Sequence, residues 1–277
     1  MKLATLRIGN GSSAVRIDAD TAVEISGFTD VGALLAEASW ASIAARAGGT
    51  AHPLKHIEPS SWAPVVPHPS KIVCVGLNYR THILEMGREL PEFPTLFAKY
   101  PEALIGPFDA ISLPIGAADT VDWEGELAVV VGSPTRRVSE QQAESAIAGY
   151  AVLNDVTVRD FQYRTPEWFQ GKTFEKTSPF GPYLVTTDEY ALGSELRTEI
   201  DGEIVQKSPT SDLVFSPAAL ISYISNIFTL NPGDVIATGT PGGVGHARTP
   251  KRYLAPGETL ATVIEGLGRL SNPIIAE

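Results

Sequence analysis

Two glutamates inside one apolar stretch constrain this chain more than any other feature of its sequence. Residues 122–132 read Asp-Trp-Glu-Gly-Glu-Leu-Ala-Val-Val-Val-Gly, which is typical of a buried β-strand. Glu124 and Glu126 are two residues apart, and side chains alternate across a strand, so both carboxylates should leave the same face. Like charges held together with little hydration repel each other. The pattern therefore predicts a cation beside them, and a divalent metal ion would suit.

A third acidic residue follows another apolar strand. Asp155 comes directly after the predicted strand 149–153 and Asn154. Three carboxylates without histidine or cysteine are hard oxygen ligands, which favour Mg²⁺ or Mn²⁺, with Ca²⁺ also acceptable, over Zn²⁺. The alternative is that these acids are solvated or paired with lysine and arginine. A lysine ammonium placed between them would replace the metal.

Composition and charge exclude several classes of function. The chain of 277 residues has a net charge of −11, which argues against nucleic acid as a partner because phosphates need a basic surface. Cys74 is the single cysteine, so an intrachain disulfide and a thiolate zinc site are excluded, which fits a reducing cytoplasm. We find no signal-peptide core and no apolar run long enough to span a membrane, so we expect a cytoplasmic protein.

The order of the predicted elements indicates a β-rich α+β fold. Strands outnumber helices and do not alternate with them, which argues against a doubly wound sheet. Residues 31–46 have apolar side chains at helical spacing and are predicted as one amphipathic helix. Four prolines within residues 58–70 indicate a linker. We therefore predict a small N-terminal domain, residues 1–66, and a catalytic domain, residues 67–277.

Several element ends have their own signals. Gly9-Asn10-Gly11 and Asp201-Gly202 are predicted to be hairpin turns. Ser139 is predicted to cap one helix, and Pro217 to lie in the first turn of another.

A histidine and a glutamate are candidates for acid–base chemistry. Thr81 is predicted to cap a short helix that carries His82 and Glu85, which would share a face because they are three residues apart. A carboxylate beside an imidazole orients the ring and raises its basicity, so the pair could activate water. A surface ion pair is the alternative.

Two lysines and a glycine-rich segment are candidates for binding anions. Lys99 and Lys172 lie in apolar surroundings, where a lysine must pair with a metal ligand, a substrate carboxylate or a structural partner. Residues 238–245 are rich in glycine but lack the ending of a nucleotide phosphate loop. They could instead bring backbone amides and the Thr240 hydroxyl close to a small anion.

Together these motifs resemble, in their order, the fumarylacetoacetate hydrolase family over about residues 70–275. The motifs are Asn-Tyr-Arg-Thr-His-Ile-Leu-Glu (78–85), Phe-Ala-Lys (97–99), Asp-Trp-Glu-Gly-Glu-Leu-Ala (122–128), Asn-Asp-Val-Thr-Val-Arg-Asp-Phe-Gln (154–162), Gly-Lys-Thr-Phe (171–174), Pro-Phe-Gly-Pro (179–182) and Thr-Gly-Thr-Pro-Gly-Gly-Val-Gly (238–245). Residues 1–65 resemble, more loosely, the small N-terminal domain of many members.

The resemblance implies a mixed β-roll or β-sandwich, usually dimeric, with the site at its mouth. It implies a metal held by Glu124, Glu126 and Asp155 and a mobile lid around His82 and Glu85. It also assigns contacts with the substrate, or with its developing negative charge, to a set of matching positions: Lys99, Gln162, Lys172 and Thr240. Arg80 or Arg164 could bind a second carboxylate of the substrate.

The resulting hypothesis is hydrolysis of a C–C bond in a 2,4-dioxo acid such as an acylpyruvate. His82, oriented by Glu85, would activate water, a metal-bound pyruvate enolate would leave, and Lys172 would add positive charge where the negative charge develops. The alternatives on the same site are decarboxylation of oxaloacetate and isomerisation of an unsaturated 2-oxo acid. A non-catalytic metal-binding protein is an alternative of another class.

Overall fold

A long mixed sheet positions the acidic residues. The computed structural model describes residues 1–85 and 87–277, without the side chain of Glu85. Within these residues the strands are β1 (Lys2–Ile8), β2 (Gly11–Asp18), β3 (Thr21–Glu24), β4 (Ala51–Pro53), β5 (Ile72–Gly76), β6 (Thr95–Lys99), β7 (Leu104–Ile105), β8 (Ile111–Leu113), β9 (Val121–Asp122), β10 (Gly125–Val131), β11 (Ile147–Asn154), β12 (Thr157–Val158), β13 (Ser178–Thr186), β14 (Glu195–Ile200), β15 (Glu203–Pro209), β16 (Val235–Ala237), β17 (Thr259–Ile264) and β18 (Gly268–Ala276).

The strands form two large sheets and one small pair in the described chain. The largest sheet has the order β4-β3-β2-β1-β13-β11-β10-β16-β5-β6, and β7 pairs with β13. A second sheet has the order β15-β14-β17-β18-β8, and β9 pairs with β12. This mixed, strand-rich architecture confirms the predicted fold class.

Strand β10 lies in the middle of the largest sheet and is buried on both faces. Leu127 and Val129 belong to the core that includes Leu196 of β14 and Ile264 of β17. Ala128 and Val130 point to the other face of the sheet and belong to a second core there. Burial on both faces explains why this stretch is a continuous apolar run rather than an alternating one.

The predicted strand over residues 122–132 is interrupted, which corrects the sequence analysis. β9 ends at Asp122 and β10 begins at Gly125, so Trp123 and Glu124 lie between two strands that pair with different partners. Glu126 is therefore the second residue of β10, while Glu124 lies just before the strand. The two carboxylates still converge, as described below.

The N-terminal segment continues the largest sheet instead of standing apart from it. Lys2 of β1 is in register with Val185 of β13, and Leu3 shares a hydrophobic core with Ala128. The boundary predicted at residue 66 therefore crosses a shared core. The division into two domains stays a prediction about sequence segments.

The described α-helices have four to six residues each, except for the last, which has 11. They are α1 (Val31–Leu35), α2 (Trp40–Ala45), α3 (Arg80–Glu85), α4 (Glu140–Glu144), α5 (Arg159–Gln162), α6 (Phe169–Lys172) and α7 (Pro217–Ile227). The single helix predicted over residues 31–46 is wrong, since α1 and α2 are separated by a turn. In that turn the Trp40 N–H donates to Glu37 O at 3.0 Å, and Trp40 then packs against the core.

Most of the predicted element ends are confirmed. Ser139 and Gln142 form a capping box at α4, and Ser216 caps α7 with Pro217 in its first turn. Both predicted hairpin turns join paired strands, β1–β2 and β14–β15. The predicted cap at Thr81 is wrong because α3 begins at Arg80, and the Thr81 N–H instead donates to Asp212 Oδ2 at 3.0 Å.

Strand β18 was not predicted, and its nine residues close the second sheet against β17. In the described residues, every helix is too short or too polar to cross a membrane.

Candidate active site

Three buried carboxylates converge where strands of the largest sheet end. Glu124, Glu126 and Asp155 each offer a carboxylate oxygen, and these oxygens lie within 4.8 Å of one another. Asp155 is fully buried and Glu126 is 2% exposed. The structure therefore brings together the three residues that sequence reasoning selected as metal ligands, although Asp155 follows Glu126 by 29 positions.

Backbone hydrogen bonds fix the position of each acid. The Glu124 N–H donates to Asn154 Oδ1 at 3.0 Å, and the Asp155 N–H donates to Glu124 O at 2.8 Å. These bonds connect the start of β10 to the end of β11. Glu126 Oε2 accepts from the Gly239 N–H at 2.8 Å. Gly239 has a φ of +100°, and a Cβ there would lie 2.9 Å from Val75 O, so glycine allows this close approach.

Two buried lysines contact the acids. Lys172 Nζ donates to Glu124 Oε2 at 2.6 Å and to Asp155 Oδ2 at 2.8 Å. Lys99 Nζ lies 3.0 Å from Asp155 Oδ1 and donates to Ser178 Oγ at 2.8 Å and to Lys172 O. The two lysines thus hold Asp155 between them.

A buried arginine connects the acids to a fourth carboxylate. Arg159 places Nη1 2.7 Å from Glu124 Oε1, and its Nε donates to Asp122 Oδ2 at 2.8 Å. Asp122 in turn accepts from the backbone N–H groups of Gly245 and His246, at 2.7 and 2.9 Å. Arg159 therefore connects Glu124 to the glycine-rich segment.

Burial and the neighbouring charges shift the pKa values of Glu126, Asp155 and Lys172. Burial, with the carboxylates of Asp155 and Glu124, raises the pKa of Glu126 well above its ordinary value. Burial alone would raise the pKa of Asp155, but Lys172 and Lys99 lower it below the usual value. Burial alone would lower the pKa of Lys172, yet Asp155 and Glu124 raise it. At neutral pH the geometry therefore favours ionised Asp155 and Lys172, while Glu126 lacks an offsetting charge.

The site has the features that a divalent cation requires. Lys172 bridges Glu124 and Asp155, but Glu126 has no cationic partner within 4.0 Å among the described residues. Asp155 Oδ1 is buried, and among the described residues Lys99 Nζ, 3.0 Å away, is the cation beside it. The buried cluster holds four carboxylates against the three cations Lys99, Lys172 and Arg159. A hard cation bound by the three acids would fit this oxygen donor set and the remaining negative charge.

A cavity of about 350 Å³ opens over the acids. Glu124, Glu126 and Lys172 lie at its polar end. Its other walls carry mainly aromatic and basic side chains: Phe97, Tyr163, Trp168, Arg88, Arg159 and His246. The Trp168 ring packs directly over Gly76, where a Cβ would lie 2.3 Å from Trp168 Cζ3. The cavity is large enough for a small organic acid.

The predicted acid–base pair is described only in part. His82 lies on α3 and lines both this cavity and a smaller adjoining one near Lys207. The side chain of Glu85 lies outside the described part of the structure, so the predicted His82–Glu85 pair stays a prediction. Arg80 is exposed at the start of α3, and Arg164 stacks on Phe161 at 3.3 Å. Neither arginine is among the residues that line the cavity.

Of the other described residues predicted to contact the substrate, Gln162 and Thr240 line the cavity and Lys99 does not. Gln162 lines the cavity, and its Oε1 accepts from Arg159 Nη1 at 2.9 Å. Thr240 also lines the cavity, where its Oγ1 donates to Gly125 O at 3.0 Å and accepts from Gln206. Lys99 is buried behind Asp155 and does not line the cavity in the described structure. Its position favours a role in orienting Asp155.

Sequence reasoning missed three residues of this site: Asp122, Arg159 and His246. Arg159 at the end of an apolar segment gave a usable signal, because a buried arginine needs an anionic partner. His246 was not selected from the sequence as a site residue, but it lines the cavity. Burial, with the nearby cations of Lys251 and Arg159, lowers the pKa of His246, which keeps its ring neutral.

Comparison with known proteins identifies the family of this chain. Residues 71–275 match the family model described as fumarylacetoacetate hydrolase C-terminal. The chain is 41% identical over 214 residues to an oxaloacetate tautomerase of Bacillus subtilis, which covers 76% of this chain and 71% of that protein. It is 40% identical over 239 residues to a human mitochondrial oxaloacetate tautomerase, which covers 84% of this chain and 76% of that protein.

Solved structures give the same assignment. A putative HpcE protein from Mycobacterium smegmatis superposes with a TM-score of 0.89 at 36% identity, covering 100% of this chain and 99% of that one. A 5-carboxymethyl-2-hydroxymuconate delta-isomerase from the same organism gives 0.83 at 33% identity, covering both chains fully at 100%. A fumarylacetoacetate hydrolase from Exiguobacterium antarcticum gives 0.88 at 30% identity, again with 100% of both chains. The chain therefore belongs to the fumarylacetoacetate hydrolase family and is an enzyme of that family.

Proposed function

We propose that this protein is a divalent-metal-dependent enzyme that interconverts the enol and keto forms of oxaloacetate or of a closely related 2-oxo acid. The observation that carries the proposal is the convergence of Glu124, Glu126 and Asp155 with the Lys172 ammonium at one end of a small cavity. Enolisation of a 2-oxo acid develops negative charge on the C2 oxygen. The Lys172 ammonium and a metal ion held by the three acids would stabilise that charge.

This proposal is nearer to the alternatives drawn from the sequence, which decarboxylate oxaloacetate or isomerise a 2-oxo acid, than to hydrolysis. The relatives with about 40% identity are named oxaloacetate tautomerases, whereas hydrolysis of an acylpyruvate has less support. Tautomerisation and C–C hydrolysis share the enolate, but tautomerisation needs only that a proton leaves one atom and returns to another. No attacking water has to be positioned.

Different residues would stabilise the developing charge and transfer the proton. A bound metal ion would supply a Lewis acid for the oxygens of the 2-oxo acid. Lys172, held by Glu124 and Asp155, keeps a positive charge at the polar end of the cavity, where the C2 oxygen would lie. Gln162 and Thr240 line the same cavity and offer neutral hydrogen-bonding groups to the substrate.

His82 is our candidate for the proton transfer at C3. It lines the cavity and is a histidine, whose ordinary pKa lies near neutrality, so it can both accept and donate a proton at working pH. We therefore expect His82→Ala to lower kcat by about 10²–10⁴-fold, as the loss of a general acid–base does. An unchanged kcat in this variant would remove His82 from the mechanism.

Isomerisation of an unsaturated 2-oxo acid is the second candidate. Solved structures that superpose well are named isomerases of dicarboxylic hydroxymuconate and hydroxyheptadienedioate acids. This reaction also moves a proton along an enolised 2-oxo acid. The same residues would serve, with the cavity holding a longer chain.

One experiment separates the tautomerase from the decarboxylase, the hydrolase and the non-catalytic alternative. The full chain, loaded with Mg²⁺ or Mn²⁺, is given enol-oxaloacetate, and the ultraviolet absorbance of the enol is followed together with carbon dioxide release and acetylpyruvate cleavage. Faster loss of the enol without carbon dioxide supports the tautomerase. Carbon dioxide indicates a decarboxylase, pyruvate plus acetate indicates a hydrolase, and no turnover with bound metal would support the non-catalytic alternative.

Assembly and location stay predictions. The homodimer implied by the family resemblance can be tested by light scattering of the purified chain. A reducing compartment fits Cys74, which is buried and unpaired. Relatives include mitochondrial proteins and one from Bacillus subtilis, so cytoplasmic and mitochondrial fractions would both be assayed.

A further inference from the structure

His246 lines the cavity, and several contacts fix its position. The backbone N–H of His246 donates to Asp122 Oδ2 at 2.9 Å, and the ring atom Nδ1 lies 2.8 Å from Tyr253 Oη. Its ring packs against the ring of Tyr163 with a centroid distance of 5.1 Å. Asp122 also binds Arg159, which contacts Glu124, so the place of this ring is set relative to the acids.

A lysine ammonium adjoins the outer nitrogen of this ring. Lys251 Nζ lies 3.4 Å from His246 Nε2. An ammonium group only donates hydrogen bonds, so Nε2 accepts from Lys251 and the ring proton is on Nδ1, directed to Tyr253. One N–H of Lys251 is then used, and two are left for another acceptor.

Within the described residues, no carboxylate forms an ion pair with the Lys251 ammonium, although the protein has a net charge of −11. Arg248, near by, donates to Gly243 O and Val205 O rather than to a carboxylate. Lys251, which contacts the cavity-lining His246, and Arg248 thus lack acidic partners among the described residues, and an anion from outside would complement them.

We propose that His246 and Lys251 form the subsite for the distal carboxylate of a dicarboxylic 2-oxo acid. The inference rests on the proposed function, since it takes the proximal 2-oxo acid end to lie at the three acids. Lys251 would donate a charge-assisted hydrogen bond to the distal carboxylate, and His246 would hold the ammonium toward the cavity. His246 is thus a positioning residue and Lys251 a specificity-determining one. An uncharged aromatic end, which Tyr163 and Trp168 could stack on, is the competing occupant.

The test measures binding, not turnover. Dissociation constants of the Mn²⁺-loaded full chain are measured by calorimetry for 3,3-difluorooxaloacetate and for 3,3-difluoro-2-oxobutyrate, which replaces the distal carboxylate by a methyl group. Neither compound can enolise at C3. Oxalate, which has no distal group, is the third ligand. We expect Lys251→Gln to weaken the dicarboxylate about tenfold, the loss expected for one hydrogen bond to a charged group, and to leave the other two unchanged.

Three controls make the outcome decisive. Lys251→Arg should restore most of the affinity, and Lys55→Gln, an exposed lysine of the N-terminal segment, should change nothing. His246→Ala should weaken the dicarboxylate selectively as well. The proposal is overturned if Lys251→Gln weakens all three ligands equally, or none, or if the wild type prefers the methyl analogue. If the wild type selects the dicarboxylate but does not interconvert enol and keto oxaloacetate, the subsite stands and the proposed function fails.

Discussion

The acids around Lys172 and the ion pairs on β14, β15 and β18 are both networks of alternating charge, but they differ in exposure. In the second network Arg197 lies 2.7 Å from Glu199, Arg269 lies 2.9 Å from Glu199, and Lys207 lies 2.8 Å from Glu195. The side chains of Lys207 and Arg269 are 61% and 47% exposed, whereas that of Lys172 is 1% exposed.

The difference in burial changes what each network can do. Water and salt screen the exposed pairs, so each contributes little to stability. In the buried network each charge has lost its hydration, and a missing partner leaves an uncompensated charge. Glu126 is the described member left without a cation, and a bound metal ion would offset this excess of negative charge. Similar distances therefore indicate a candidate functional site in one place and a solvated surface in the other.

The largest effect is expected from removing Lys172. Lys172→Met leaves Glu124 and Asp155 buried without their shared ammonium, so the free energy of unfolding should fall by about 3–5 kcal/mol. The turnover number should fall by about 10²–10³-fold, as on losing one group that stabilises the developing charge. Denaturant unfolding and steady-state kinetics would measure the two effects.

The matched control is Lys207→Met in the exposed network. It makes the same change of side chain, and we expect the free energy of unfolding to stay nearly unchanged because water replaces the lost partner. Equal loss of stability in the two variants would contradict the contrast between the networks.

A second effect follows from the raised pKa of Glu126. The metal-free folded protein holds a proton there at pH values where the unfolded chain has released it, so stability should decrease as pH rises from the ordinary carboxyl pKa toward the raised one. A metal competes with that proton, so metal affinity should increase with pH over the same window. Thermal unfolding of the wild type and of Glu126→Gln, with and without Mn²⁺, measures this.

Glu126→Gln has no carboxyl proton at this position, so its stability should lack this decrease, and the difference in stability between the two proteins should change with pH. Parallel stability curves for the two proteins across this window would mean that Glu126 does not titrate there.

The smallest effect is expected on the exposed network itself. Arg269→Ala removes one of the two arginines that contact Glu199, and Arg197 keeps that carboxylate paired. The free energy of unfolding should change by less than about 1 kcal/mol, and by less at high salt. A loss comparable to that of Lys172→Met would show that exposure does not separate the two networks.

Short-range signals predicted many of the local elements and failed where packing decided. The hairpin turns at Gly9-Asn10-Gly11 and Asp201-Gly202 and the cap at Ser139 depend on neighbouring residues only, and they were predicted correctly. The helix over residues 31–46 was predicted as continuous because its periodicity is helical, but core packing of Trp40 and Ile43 accompanies a turn there. The cap of α3 comes from Asp212, far along the chain, which no local pattern could reveal.

By itself, the sequence determined the family, the strand-rich fold class and the three acids, because the order of the motifs and the hard oxygen chemistry can be read along the chain. Only the tertiary structure decided how the remaining charges are shared. It placed Lys172 between Glu124 and Asp155, Lys99 behind Asp155, and Arg159 against Asp122. Those contacts join residues 17 to 56 positions apart, and the free energy of a buried charge depends on which partner the fold brings within hydrogen-bonding distance rather than on spacing in the sequence.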